Sequence, residues 1–171
     1  DRCRFLNNGY YGVRISAGNS SKLERADVTV KNSYFYNSGR VMKTYAPGMI
    51  VFGCGIDILN NHIEHATHAG INCGGTLVNI MYNEINDVLR DYSDQGFIYS
   101  ATSMPGSEIA YNYLHDTNYN EIKMEDWGDW RNLGGKIRLC NAKYQGSMKV
   151  GIYKDGYTYG GHIHHNIFKN M

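Results

Sequence analysis

Carboxylates recur along the chain, some of them close to histidine or tyrosine: Asp57, Asp87, Asp94 two residues after Tyr92, Glu108, Asp116 after His115, and Asp155 two residues after Tyr153. Two carboxyl groups that converge on one bond can divide the labour. The protonated one releases a leaving group, and the ionised one serves as base or nucleophile. Trp127, Trp130, Tyr99 and Tyr153 would suit a sugar partner, because the apolar face of a pyranose stacks on an indole or phenol ring. Cysteines at 3, 54, 73 and 140 form no close pairs and carry no zinc signature, so no metal site is expected. Cys3 and Cys73 read as buried thiols, and a disulfide between Cys54 and Cys140 stays open.

Repeats are what must position these groups. Val28–Phe35, Ile56–Ile63, Val78–Ile85 and Ser107–Leu114 share the template apolar-x-apolar-x-x-Asn-x-apolar, and a further copy fits from Ile163 to Phe168. The aligned positions 3, 33, 61, 83, 112 and 166 are spaced by 30, 28, 22, 29 and 54 residues. A second short strand follows most blocks: Gly12–Ile15, Gly70–Cys73, Gly96–Tyr99 and Gly151–Tyr153. Alternation of apolar and polar residues means strands with one face in and one out. Each block is too short to bury its inner face alone, so neighbours must stack. Parallel stacking places equivalent residues in columns about 4.8 Å apart. Asn61, Asn83, Asn112 and Asn166 are then expected to form an internal amide ladder.

The same register predicts three outward columns. One runs Thr29, Asp57, Asn79, Glu108, His162; a second Tyr36, Glu64, Asn86, His115, Lys169; a third Asn37, His65, Asp87, Asp116, Asn170. Asp57 and Glu108, two repeats apart, would lie about 9.6 Å from each other, close to the roughly 6.5–9.5 Å separation of inverting glycosidases. Asp87 over Asp116 could raise one pKa or bind a cation, but Asx residues at such corners more often satisfy turn amides.

On these residues the chain resembles the right-handed parallel β-helix built from short parallel repeats. The fold implied is all-β, a solenoid of about five coils in a single domain over residues 1–171, with one long inserted loop at 118–150. Asp94-Gln-Gly-Phe-Ile-Tyr99, Asn112-Tyr-Leu-His-Asp116 and Gly151-Ile-Tyr-Lys-Asp155 look like bacterial carbohydrate-active members of this fold, glycoside hydrolases among them. The resemblance implies Asp94 and Asp155 as the catalytic pair. Tyr99, Trp127, Trp130, Tyr153, His115 and Glu108 are then expected to bind substrate. One departure is Lys154 before a single acid, where some members have consecutive acids. A geometric difficulty is that strands aligned without offset put the two ends holding Asp94 and Asp155 roughly 15–20 Å apart. Alternatives are a polysaccharide lyase acting on a uronate polymer, for which Ca²⁺ would be a possible cofactor, and a non-catalytic carbohydrate-binding or structural coil. Otherwise no cofactor is expected.

Composition agrees with this architecture. Of 171 residues, 20 are Gly, 18 Asn and 15 Tyr, a mixture that disfavours helices and favours short strands joined by turns. A net charge of +1 argues against a nucleic-acid partner, which calls for a basic stripe. No apolar run reaches the roughly 18 residues of a membrane span. The expected partner is a carbohydrate polymer or oligosaccharide, the expected location extracytoplasmic or secreted, and the chain is expected to be a segment of a larger protein. Sequence does not set the oligomeric state.

Overall fold

The computed structural model describes residues 1–92, 95–117, 149–156 and 158–170. Among these residues fourteen strands follow one another: β1 (Arg4–Leu6), β2 (Val13–Ala17), β3 (Val28–Lys31), β4 (Tyr34–Tyr36), β5 (Met49–Leu59), β6 (His62–Glu64) and β7 (Ile71–Met81). After them come β8 (Glu84–Asn86), β9 (Gln95–Ser100), β10 (Glu108–Ala110), β11 (Tyr113–His115), β12 (Lys149–Lys154), β13 (His162–His164) and β14 (Ile167–Lys169). The described residues are all-β, and none lies in a helix long and apolar enough to cross a membrane. β12 begins at Lys149, so Lys149 and Val150 belong to a strand and not to the inserted loop expected at 118–150. The rest of that segment, residues 118–148, lies outside the described residues.

Every strand pairing is parallel. One sheet of six strands runs β1-β4-β6-β8-β11-β14. The other has eight strands and divides at β7, whose first half pairs with β9 and whose second half pairs with β10. Repeat blocks break at the aligned Asn, so each gives one strand to each sheet: β3 and β4, β5 and β6, β7 and β8, β10 and β11, β13 and β14. β5 and β7 are longer than their sequence blocks because the preceding short strand runs into them. The bend that joins their halves depends on Gly53 and Gly75, at φ +140° and +112°. A Cβ on Gly53 would sit 1.7 Å from the Ala17 carbonyl oxygen, and one on Gly75 2.0 Å from that of Gly53. Only glycine fits backbones that approach so closely.

Register follows the sequence columns. Thr29, Asp57, Asn79, Glu108 and His162 are successive partners in the larger sheet. In the smaller sheet the same holds for Tyr36, Glu64, Asn86, His115 and Lys169. Inward positions supply the core, with Ile58, Ile80 and Ile109 stacked in one column and Phe35, Ile63, Ile85 and Leu114 in another, all buried. Truncating one such side chain to Ala is worth about 2–5 kcal/mol.

At the corner between sheets, the Asn83 side-chain oxygen accepts from both the Asn61 backbone N–H (2.9 Å) and its amide (3.0 Å). Its own amide donates to Ile58 O, Met81 O and Asn112 Oδ1. Asn112 repeats the pattern with Asn166, and Ser33 and Cys3 continue it toward the start of the chain. Cys3 itself is exposed, contrary to expectation, because no earlier repeat covers it among the described residues, whereas Cys73 is buried as expected. Cys54 is a free, buried thiol. Cys140 lies outside the described residues.

Residues on both sides of these short strands adopt left-handed backbone. Asn60, Tyr82, Tyr111 and His165 precede the ladder strand, and Asn37, His65, Asp87, Asp116 and Asn170 follow it. Side chains with a Cβ are strained by roughly 1–2 kcal/mol there. Stacking compensates: Tyr82 lies on Tyr111 at 5.1 Å, and Tyr111 on His165 at 5.1 Å.

Candidate functional site

Asp155 follows β12, and its backbone N–H donates to Ser100 O (2.8 Å) at the end of the paired strand β9. That anchor turns the carboxylate toward Tyr99, the in-register partner of Tyr153. Tyr99 donates its hydroxyl to Asp155 Oδ2 (2.7 Å), and the Gly156 N–H donates to Oδ1 (2.7 Å). The Tyr153 hydroxyl lies 3.5 Å from Oδ1, and the two tyrosine rings meet edge to face at 5.5 Å. The Tyr99 hydrogen bond, then the Gly156 amide, hold the Asp155 carboxyl below the usual carboxylate range. Tyr99 moves the opposite way: burial first, then its bond to the carboxylate, push its hydroxyl above the ordinary phenol value, with the Gln95 amide opposing. At neutral pH the pair is therefore a carboxylate held by a neutral phenol.

Around this pair lie buried polar atoms without partners among the described residues. Asn72, the β7 residue opposite Tyr99, leaves Oδ1 unpaired, and Gln95 leaves Oε1 unpaired. His68 leaves Nδ1 unpaired. Its ring packs between Tyr45 (5.4 Å) and Tyr92 (5.3 Å), and Tyr45 is near enough to Tyr99 to act on its hydroxyl. Burial lowers the His68 pKa to about 4, so this imidazole is neutral near pH 7. Unpaired buried acceptors are costly and uncommon in folded proteins. A ligand rich in hydroxyl donors would satisfy them.

The other expected site residues separate into distinct places. Asp94, Trp127 and Trp130 lie outside the described residues. β9 and β12 pair without offset, Gln95 opposite Lys149 and Ser100 opposite Lys154, so Gln95 and Asp155 stand at opposite ends of the pair. His115 belongs to the smaller sheet, held between Asp116 (2.7 Å) and Glu84 (3.1 Å) and stacked on Tyr113. Glu108 pairs with the far half of β7 and bonds to His164. Asp57 accepts from Asn79 (2.8 Å), its neighbour in the column that leads to Glu108. Asp87 and Asp116 lie at corners, but the bonds described for their carboxylates go to side chains and not to turn amides: Asp87 is paired with His65 and Arg90, and Asp116 accepts from Asn170 and is paired with His115.

A tyrosine on a carboxylate is not distinctive by itself. Tyr34 donates to Glu64 in the smaller sheet, where Asn86 also donates to the carboxylate (3.1 Å). The Tyr99 region adds unpaired atoms on Asn72 and Gln95, although Asn8, Asp87 and Thr117 also leave buried atoms unpaired elsewhere among the described residues. Aligning Gly70–Cys73 with Gly96–Tyr99 in sequence sets Asn72 opposite Ile98, whereas β7 and β9 pair one residue out of that register and bring Asn72 opposite Tyr99. No repeat signal marks His68 or Tyr45, which sit on connections between strands.

Comparison of the chain with family models, curated proteins and solved structures returned no match.

Proposed function

We propose that the chain is a carbohydrate-active right-handed parallel β-helix, and that it hydrolyses glycosidic bonds at the Tyr99–Asp155 edge. The observation that carries this reading is the Asp155 carboxylate, fixed by Tyr99 beside a second tyrosine, with the unpaired Oδ1 of Asn72 on the β7 residue opposite Tyr99. A carboxyl held below its ordinary pKa suits the ionised role, base or nucleophile, and not the proton donor. Asp94 is the proposed acid, on resemblance alone. Tyr99 and Tyr153 offer ring faces and edges to a sugar, and Trp127 and Trp130 are proposed to extend that platform. A polymer of this kind is met outside the cytoplasm, which fits a secreted protein.

Incubation with a polysaccharide panel tests the reading, following new reducing ends together with the ultraviolet absorbance of unsaturated uronates. Reducing ends without absorbance support hydrolysis, and both signals together indicate a lyase. Asp155→Asn and Asp94→Asn should each lower the rate by about 10²-fold or more. Full activity in both variants would remove these residues from the chemistry.

A non-catalytic binder is the second reading, favoured by the number of donors already on Asp155. Its carboxylate accepts from the Gly156 amide just as a turn-capping aspartate does. In that case sugar binds, neither signal appears, and Asp155→Asn weakens binding only modestly.

A further inference from the structure

His162 and His164 alternate along β13, so both imidazoles leave the same face of the larger sheet, with ring centroids 4.3 Å apart. Glu108, on the neighbouring strand β10, is the in-register partner of His162 and is in hydrogen-bond contact with His164 Nε2. One donor atom from each of the three side chains lies within 4.8 Å of the other two. Ligands of a tetrahedral zinc ion stand about 3.3 Å apart, for bonds of about 2.0–2.1 Å. Small side-chain rotations close that gap, and the backbone need not move.

We propose that Glu108, His162 and His164 bind a divalent transition metal of the zinc type. The donor set selects the class: imidazole nitrogens suit zinc and its neighbours, whereas calcium and magnesium take oxygen ligands. Three protein ligands leave a coordination position open, as in metal sites that bind water or substrate. Room for it exists in a recess of ≈ 360 Å³ bordered by Gly106, Ser107 and Gly161 as well as Glu108 and His162.

The surroundings prepare His164 for this role. Its Nδ1 lies 2.6 Å from Nδ1 of His165, so one hydrogen is shared between two ring nitrogens. With a metal on Nε2, His164 carries that hydrogen and donates it to His165, the outer bond that orients most metal-binding histidines. Tyr111 fixes the arrangement, edge-on to His164 (5.5 Å) and stacked on His165 (5.1 Å). The site is separate from the Tyr99–Asp155 edge and does not depend on it.

Calorimetric titration of the full chain with Zn²⁺ alone, paired with Co²⁺ absorption spectroscopy, tests the assignment. The expected result is one equivalent bound, a visible Co²⁺ band of low coordination number, and no competition from Ca²⁺. His162→Ala, His164→Ala and Glu108→Gln should each weaken binding by more than about 100-fold, since loss of an outer hydrogen-bond partner alone is worth about 10–100-fold. His165→Phe should fall within that smaller range, and His62→Gln, at a histidine elsewhere on the surface, should change nothing. Circular dichroism and unchanged unfolding midpoints establish that the variants are folded. Absence of stoichiometric binding overturns the assignment, as does binding that persists in all three ligand variants.

Discussion

Asn83 and Asn72 are both buried amides on the same chain of repeats, one at the corner between sheets and one beside Tyr99. Asn83 has its oxygen and its amide hydrogens engaged by the repeats above and below. Asn72 leaves its oxygen empty, and so do Gln95 and His68 nearby leave an acceptor or ring nitrogen. The difference marks the ladder as architecture, and it is the contrast on which the proposal of a binding edge at Tyr99 rests.

Substitution at the two amides gives the sharpest break. Asn83→Ala strands a buried backbone N–H and a backbone carbonyl, so we expect a loss of about 3–6 kcal/mol from several unsatisfied groups, read as a shift in urea midpoint. Asn72→Leu removes an atom that has no partner, and its effect on the same midpoint should stay within about 1 kcal/mol, of either sign. Equal losses at both positions would erase the distinction.

Acid exposes the edge in a different way. The unfolded chain protonates His68 near the ordinary imidazole value of 6.5, whereas the folded chain resists down to about 4. The neutral ring therefore contributes stability above pH 6.5 that is lost as pH falls toward 4, about 2–3 kcal/mol in all. His68→Phe should flatten the stability profile across that window, measured by denaturant titration at stepped pH. A ladder substitution should lower the whole profile without changing its shape.

The smallest expected effect belongs to Tyr99→Phe. Loss of the hydroxyl donor should move the Asp155 carboxyl up toward its ordinary value, measured by carbon-13 NMR titration, so that protonation begins at higher pH. If the enzyme reading holds, the acid limb of activity should shift in the same direction. An unmoved Asp155 would leave the Gly156 amide as its sole anchor of consequence.

Sequence made the periodic part of the molecule readable. The Asn positions, the three outward columns and the inward isoleucines follow from one template, because parallel pairing repeats the same neighbours at each step. The edge was readable only in part. Tyr99, Tyr153 and Asp155 were each readable as candidates, but no signal set the Tyr99 hydroxyl on Asp155, and His68 and Tyr45 lie on connections whose course no repeat dictates. The Glu108–His162–His164 cluster hid for a further reason: the Glu108 column gave neighbours across strands, while His164 meets Glu108 on the diagonal.

The bond between Asn112 and Asn166 closes 54 residues of chain, against 28 between Ser33 and Asn61. Loop-closure entropy grows only with the logarithm of length, so near doubling adds about 0.6 kcal/mol, less than one ordinary ladder bond contributes. Extra chain inserted at that connection is thus nearly free of thermodynamic penalty once the flanking rungs are in place. The repeat can host segments of very different length there while the shorter-range rungs from Ser33 to Asn112 keep their own closure cost. Evolution and protein engineering meet the same latitude: the long connection is where new sequence can be tried without re-solving the fold.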